Sequence, residues 1–192
     1  MQGNFLSTAL TLFKYYKSLA DKAISQLSDE ALHWRRNEDS NNIAIIVRHM
    51  AGNMLSRWTD FLNSDGEKSW RDRDSEFEDA MTSRAEMMNF WEKGWAQLFE
   101  TLDSLDESQL NEIIYIRNEG QSVMEAIMRQ LAHYSNHTGQ IILLAKMLAS
   151  DWKTLSIAKN KSGEYNEHLF TSEKALKDFT QTAHFDEDQK EK

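Results

Sequence analysis

A chain of 192 residues that is 40% apolar and 10% aromatic can bury the core of one ordinary domain, and that content excludes wholesale disorder. Its 22 basic and 31 acidic residues give a net charge of −9, the wrong balance for displacing counterions from nucleic acid. Cysteine is absent, which excludes disulfides, thiolate metal ligands and a cysteine nucleophile.

The most apolar run, Ile141 to Ala149, is interrupted by Lys146 and falls short of the roughly 20 residues of a spanning helix, so no membrane role is expected. The start, Met1 to Phe5, carries neither a basic n-region nor an apolar stretch, so the expected compartment is the cytoplasm. Proline is absent and there are seven glycines. Proline breaks helices and glycine supplies hairpin turns, so their scarcity predicts an all-α chain.

The first predicted helix runs from Phe5 to Leu27, with Leu6, Leu10, Phe13, Lys17, Ala20, Ile24 and Leu27 on one face. Only Lys17 is out of character there. After a polar connection, Ser40, Asn41 or Asn42 caps a second helix, whose stripe of Ile43, Ile46, Val47, Met50, Met54, Trp58 and Phe61 ends near Ser64–Gly66. A third helix is expected from Glu76 to Leu102, with Phe77, Met81, Met88, Trp91, Trp95, Leu98 and Leu102 inward. The β-rich stretch Leu110 to Arg117, before Asn118-Glu119-Gly120, predicts an extended excursion or a small hairpin. Ser122 and Glu125 form a capping box that opens a fourth helix running to Ala149. A loop follows, then a short helix near Ser172–Thr182 and a charged tail from Asp186 to Lys192. Four helices of about 20 to 28 residues predict a four-helix bundle. Residues 1–166 form that domain, and residues 167–192 a C-terminal extension.

The fourth helix carries the chemistry. Its predicted inward line is Ala126, Gln130, His133, His137, Ile141, Leu144 and Leu148. His133 and His137 are one turn apart on one face, which suits two imidazoles on a single ion. Six histidines produce such a pair by chance roughly 0.2 times per chain of this length, so the plain alternative is two core histidines satisfied by polar neighbours. A polar group on a buried stripe is costly without a partner, which favours metal. His49 sits on the flank of the second helix's stripe, about 60° round from Ile46, and is the best placed third ligand. Gln130, Gln140 and Asn53 are the candidates to support the ligands, and Trp58, Trp91 and Trp95 read as core. No H-E-x-x-H, G-x-S-x-G, P-loop or G-x-G-x-x-G is present, and no acid/base pair stands out among the carboxylates.

The segments Asn42-Ile43-Ala44-Ile45-Ile46-Val47-Arg48-His49-Met50-Ala51-Gly52-Asn53 and Leu131-Ala132-His133-Tyr134-Ser135-Asn136-His137-Thr138-Gly139-Gln140-Ile141 resemble the DinB/YfiT-like superfamily of metalloenzymes over about residues 5 to 166. The resemblance implies an up-down-down-up four-helix bundle and a metal triad of His49, His133 and His137. It also implies a divalent ion, zinc or nickel foremost. Characterised members are bacillithiol or mycothiol S-transferases and a thiol-using maleylpyruvate isomerase. A low-molecular-weight thiol cosubstrate, a small-molecule substrate and a homodimer are therefore implied as well. The stretch Trp152 to Ser162 is similar to a signature of one uncharacterised branch, except that Ala158 and Asn160 stand where a proline and a glycine are usual. The function expected is activation of a thiol, as in an S-transferase, or of water, as in a hydrolase. The alternative is a non-enzymatic helical interaction or stress protein with a structural or vacant metal site.

Overall fold

A computed structural model describes residues 4–81 and 83–171. Helix dominates, as expected of the all-α class. Four long helices, α1 (Phe5–Ile24), α3 (Ile43–Trp58), α4 (Arg84–Ser104) and α5 (Val123–Leu148), are joined by the short α2 (Asp29–Leu32), two 3-10 turns and one hairpin. The largest helix interfaces pair α3 with α4 and α1 with α5, and α3–α5 and α1–α4 contacts join the two pairs.

Side-chain oxygens open the helices. Asn4, Asn42 and Ser83 each accept the backbone N–H three residues on, and Ser122 with Glu125 forms the expected capping box. At the centre, each long helix contributes one ring. Phe13 of α1 lies 6.2 Å from Trp58 of α3, 6.4 Å from Trp95 of α4 and 5.9 Å from Tyr134 of α5, measured between centroids. The edge-on arrangements suit the ring quadrupoles. The Trp58 indole N–H donates to the Tyr134 hydroxyl (3.2 Å), which donates to Asn53 Oδ1 (2.9 Å). Trp58, Trp91 and Trp95 are all buried, as expected of core residues. Lys17, the anomaly on the α1 stripe, reaches Asp21 (2.7 Å) and Glu92 (2.8 Å), so its ammonium ties α1 to α4.

Several boundaries differ from expectation. The first helix stops at Ile24 and the second at Trp58, short of the Ser64–Gly66 stretch expected to end it. The Trp58 carbonyl, freed at that helix end, accepts the Thr101 hydroxyl at 2.8 Å. The third helix starts at Arg84, not Glu76; Asp74–Phe77 is instead a 3-10 turn. Two features hold that turn out of the helix: Glu76 is buried against Arg71 and His49, and Ser83 supplies the cap.

The β-rich stretch forms the hairpin, β1 (Ile113–Ile116) with β2 (Glu119–Ser122), antiparallel with Ile116 opposite Glu119. Arg117 (φ 57°) and Asn118 (φ 61°) make its two-residue turn, in which both residues are left-handed. Neither is glycine, and the Asp65 carboxylate accepts both of their backbone N–H groups at 2.8 Å. Asn160, where the branch it resembles usually has glycine, has φ 67°, a conformation asparagine tolerates. A further helix, α6 (Ser162–Thr171), occupies sequence read as loop. The helix expected at 172–182 and the charged tail lie outside the described residues.

Candidate metal centre

His49 and the pair on α5 are brought together. Among the described residues, His49, His133 and His137 form one group whose ligand atoms all lie within 4.8 Å of one another. His49 is buried in α3. The Nε2 atoms of His49 and His133 are 3.3 Å apart, and those of His133 and His137 are 3.1 Å apart. Nitrogens held at ~2.0–2.1 Å from one ion in tetrahedral geometry stand roughly 3.3 Å from each other.

The outer nitrogens decide which atom each ring presents. His49 Nδ1 lies 2.9 Å from Glu76 Oε2. An ionised carboxylate only accepts, so the ring proton sits on Nδ1 and the Nε2 lone pair faces the cluster. His133 Nδ1 faces Gln130 Oε1 at 3.3 Å and His137 Nδ1 faces Gln140 Oε1 at 3.1 Å. The Gln140 amide nitrogen donates to Asn136 Oδ1 (2.8 Å), which turns its oxygen towards His137. In the neutral tautomers that these acceptors favour, three Nε2 lone pairs face one another. That is the donor set a divalent cation needs.

The two α5 histidines are not in the middle of the buried line. That line runs Ala126, Ile127, Gln130, Tyr134, Thr138, Ile141 and Ala145, so the wheel is rotated and His133 and His137 occupy its half-buried edge. Tyr134 takes the central position because it completes the four-ring core. The histidines consequently keep one side towards solvent. Of the three supporting residues expected, Gln130 and Gln140 contact the triad. Asn53 does not, because its oxygen is taken by the Tyr134 hydroxyl. His33 pairs with Asp79 at 2.8 Å, outside the cluster.

Glu76 is the contact that sequence reasoning missed. It lies 27 residues from His49, and only the mixed-charge run Arg71-Asp72-Arg73-Asp74-Ser75-Glu76 marks its neighbourhood, a pattern typical of a solvated surface. Arg71 donates to both its oxygens, Nε to Oε1 at 2.7 Å and Nη2 to Oε2 at 2.8 Å. Burial pushes the Glu76 carboxyl up, but the hydrogen bonds from Arg71 and His49 outweigh it and hold the group below its ordinary range.

Burial, then the neighbouring His137 and His49 and the Arg57 and Arg71 charges, lower the His133 pKa to about 3. Burial likewise lowers that of His137, with Gln140 partly opposing it. Both rings are therefore neutral at pH 7 and ready to ligate. In the metal-free protein the sign is fixed. Between about pH 3 and 6.5 the unfolded chain holds the proton that folded His133 lacks, so stability falls on acidification by up to ~1.4 kcal/mol per pH unit. Urea unfolding of chelator-treated protein at pH 7 and pH 5 is expected to show that loss reduced by about 2 kcal/mol in His133→Gln. An identical loss in the variant would place the acid sensitivity elsewhere.

No helix among the described residues is long and apolar enough to cross a membrane. No curated protein and no solved structure matches the chain. Residues 1–161 match the family described as "Protein of unknown function (DUF1572)", and the chain belongs to that family.

Proposed function

We propose that this DUF1572-family chain is a DinB/YfiT-like four-helix bundle that binds one divalent metal ion on Nε2 of His49, His133 and His137 and uses it on a small-molecule substrate. One observation carries the reading: three Nε2 atoms converge while each Nδ1 faces an oxygen acceptor. A divalent ion, when bound, supplies a Lewis acid that lowers the pKa of a thiol or a water.

The chain's own residues set the limits of that chemistry. Glu76 is engaged by His49 Nδ1 and Arg71, so it supports a ligand and does not serve as a fourth one. A structural zinc centre is normally closed by four protein donors, whereas three donors leave a position for substrate. Half-burial of His133 and His137 provides the approach to it. With no cysteine in the chain, any thiol arrives as a cosubstrate. The family resemblance favours a thiol over water, as in the S-transferases, and supports a homodimer. Met128, Leu143 and Met147, exposed on α5, offer apolar surface for such a dimer.

Untagged protein, loaded with zinc, nickel or manganese and dialysed, is expected to retain about one equivalent by inductively coupled plasma mass spectrometry. Loaded protein is then screened for conjugation of bacillithiol, mycothiol or glutathione to electrophiles. Protein that stays metal-free with all three ions would end the metalloenzyme reading. A loaded protein inert towards thiols and hydrolysable esters would leave a metal-binding protein without the proposed chemistry.

A further inference from the structure

The three ligands are supported unequally. Gln130 and Gln140 stand three residues from their histidines on the same helix, so any α5 helix would place them there. Glu76 comes from a separate turn, and several features of the fold converge on putting its carboxylate where it is. Resting on the three-histidine reading above, we propose that Glu76 is the positioning residue of the metal centre, held by Arg71 and admitted by Gly52, and that it sets the affinity of the site through His49.

Burial is the first reason. The Glu76 side chain is 7% exposed and that of Arg71 2% exposed. Taking two charges out of water is costly before their attraction is counted, and apolar residues of similar size often anchor a loop at least as well. A buried carboxylate bonded to a histidine needs a reason beyond anchoring.

The guanidinium supplies the second. Arg71 directs Nε and Nη2 to the two oxygens of Glu76, while its buried Nη1 makes no hydrogen bond and stands 3.5 Å from Glu67 Oε1. Its two well-formed hydrogen bonds thus go to Glu76, and Glu67 receives only the looser ion pair at Nη1. Such a planar two-point grip fixes the carboxylate in rotation as well as position.

Gly52 is the third. It lies one turn after His49, within α3, where glycine is a poorer helix former than alanine. A Cβ at this position would overlap Glu76 Oε1 and stand 2.9 Å from its carboxyl carbon. The helix thus lacks a side chain where the carboxylate lies against it. Phe77, the next residue of the same turn, packs its ring at 4.8 Å and a 30° tilt against the His49 ring and carries the Arg73 guanidinium 5.0 Å from its own centre. The 3-10 turn therefore holds the edge of the imidazole through Glu76 and its face through Phe77.

A carboxylate on Nδ1 fixes the tautomer, restrains ring rotation and makes Nε2 a stronger donor; loss of such a partner typically costs 10–100-fold in metal affinity. The test measures zinc affinity by competition with a chromophoric chelator, and the cobalt(II) absorption spectrum, in protein shown to be folded by circular dichroism. Glu76→Gln is expected to weaken zinc binding about 10- to 100-fold and to shift the cobalt bands. Gly52→Ala keeps every charge and donor but displaces the carboxylate, and is expected to weaken binding in the same direction. Arg71→Met weakens binding alone yet adds nothing in the Glu76→Gln background, because Arg71 acts through Glu76.

A purely structural role would lower the thermal midpoint and leave affinity and cobalt spectrum unchanged. Wild-type affinity in folded Glu76→Gln therefore overturns the proposal. Should that variant not fold, wild-type affinity in Gly52→Ala overturns it equally. Failure of the wild type itself to bind metal removes the three-histidine reading and this inference with it, so the two failures are told apart by the wild-type titration.

Discussion

Replacing His133 and His137 together with alanine is expected to leave a folded chain that no longer retains zinc after dialysis. The loss exceeds the 10- to 100-fold of a supporting residue, because two of three donors disappear and the remaining imidazole has no chelate partner. Folding is expected to survive, since both rings lie on the half-buried edge of α5 while the buried line through Tyr134 and Ile141 is untouched. Thermal unfolding checks both halves. At a free zinc concentration 1,000 times its dissociation constant, the wild type gains about 4 kcal/mol, which for a chain of this size raises Tm by roughly 8 to 16 °C. The double variant should show no zinc-dependent rise. A rise equal to that of the wild type would mean that zinc binds elsewhere.

Trp58→Ala is expected to be the most damaging single core substitution. The ring is buried, meets Phe13 at 6.2 Å and Phe61 at 4.9 Å, and its N–H satisfies the Tyr134 hydroxyl. Tryptophan-to-alanine changes in cores cost about 3–5 kcal/mol through lost transfer energy and the cavity left behind. That corresponds to a fall in Tm on the order of 10 °C for a chain of this length. Tyr134 keeps its bond to Asn53, so the hydroxyl is not stranded and the cost is mainly one of packing. Urea unfolding of the metal-free protein measures it. A loss under about 1 kcal/mol would show that the four-ring contact is not the centre of the core.

Much of the fold was legible because its signals are local. Three- and four-residue spacing marks a buried helical stripe, and Asn42 and the Ser122–Glu125 box mark where helices begin. The expected Glu76–Leu102 helix starts before the observed one because Glu76 and Phe77 carry helix-compatible side chains, whereas their positions are set by contacts with His49 in a different helix. The same limit displaced the α5 wheel. Periodicity defines a face to within about one residue, and only the competition of Tyr134 with its histidine neighbours for the central position decides which residues point inward.

By itself, then, the sequence determined a mostly helical chain, its four long helices, the exclusion of cysteine ligands and a cysteine nucleophile, and the three histidines worth testing together. The first three and the His133–His137 pair follow from composition or from spacing along a single helix, whereas His49 joins the pair through its flank position on the second helix and the family resemblance. The tertiary structure decided that His49 reaches the α5 pair, that Gln130 and Gln140 rather than Asn53 turn the rings, and that Glu76 and Arg71 stand behind His49. The reason is the range of the interactions. A helical repeat is printed in neighbouring residues, whereas the contact of a carboxylate with an imidazole 27 residues away is fixed only when packing brings a turn against a helix that has left room for it at Gly52.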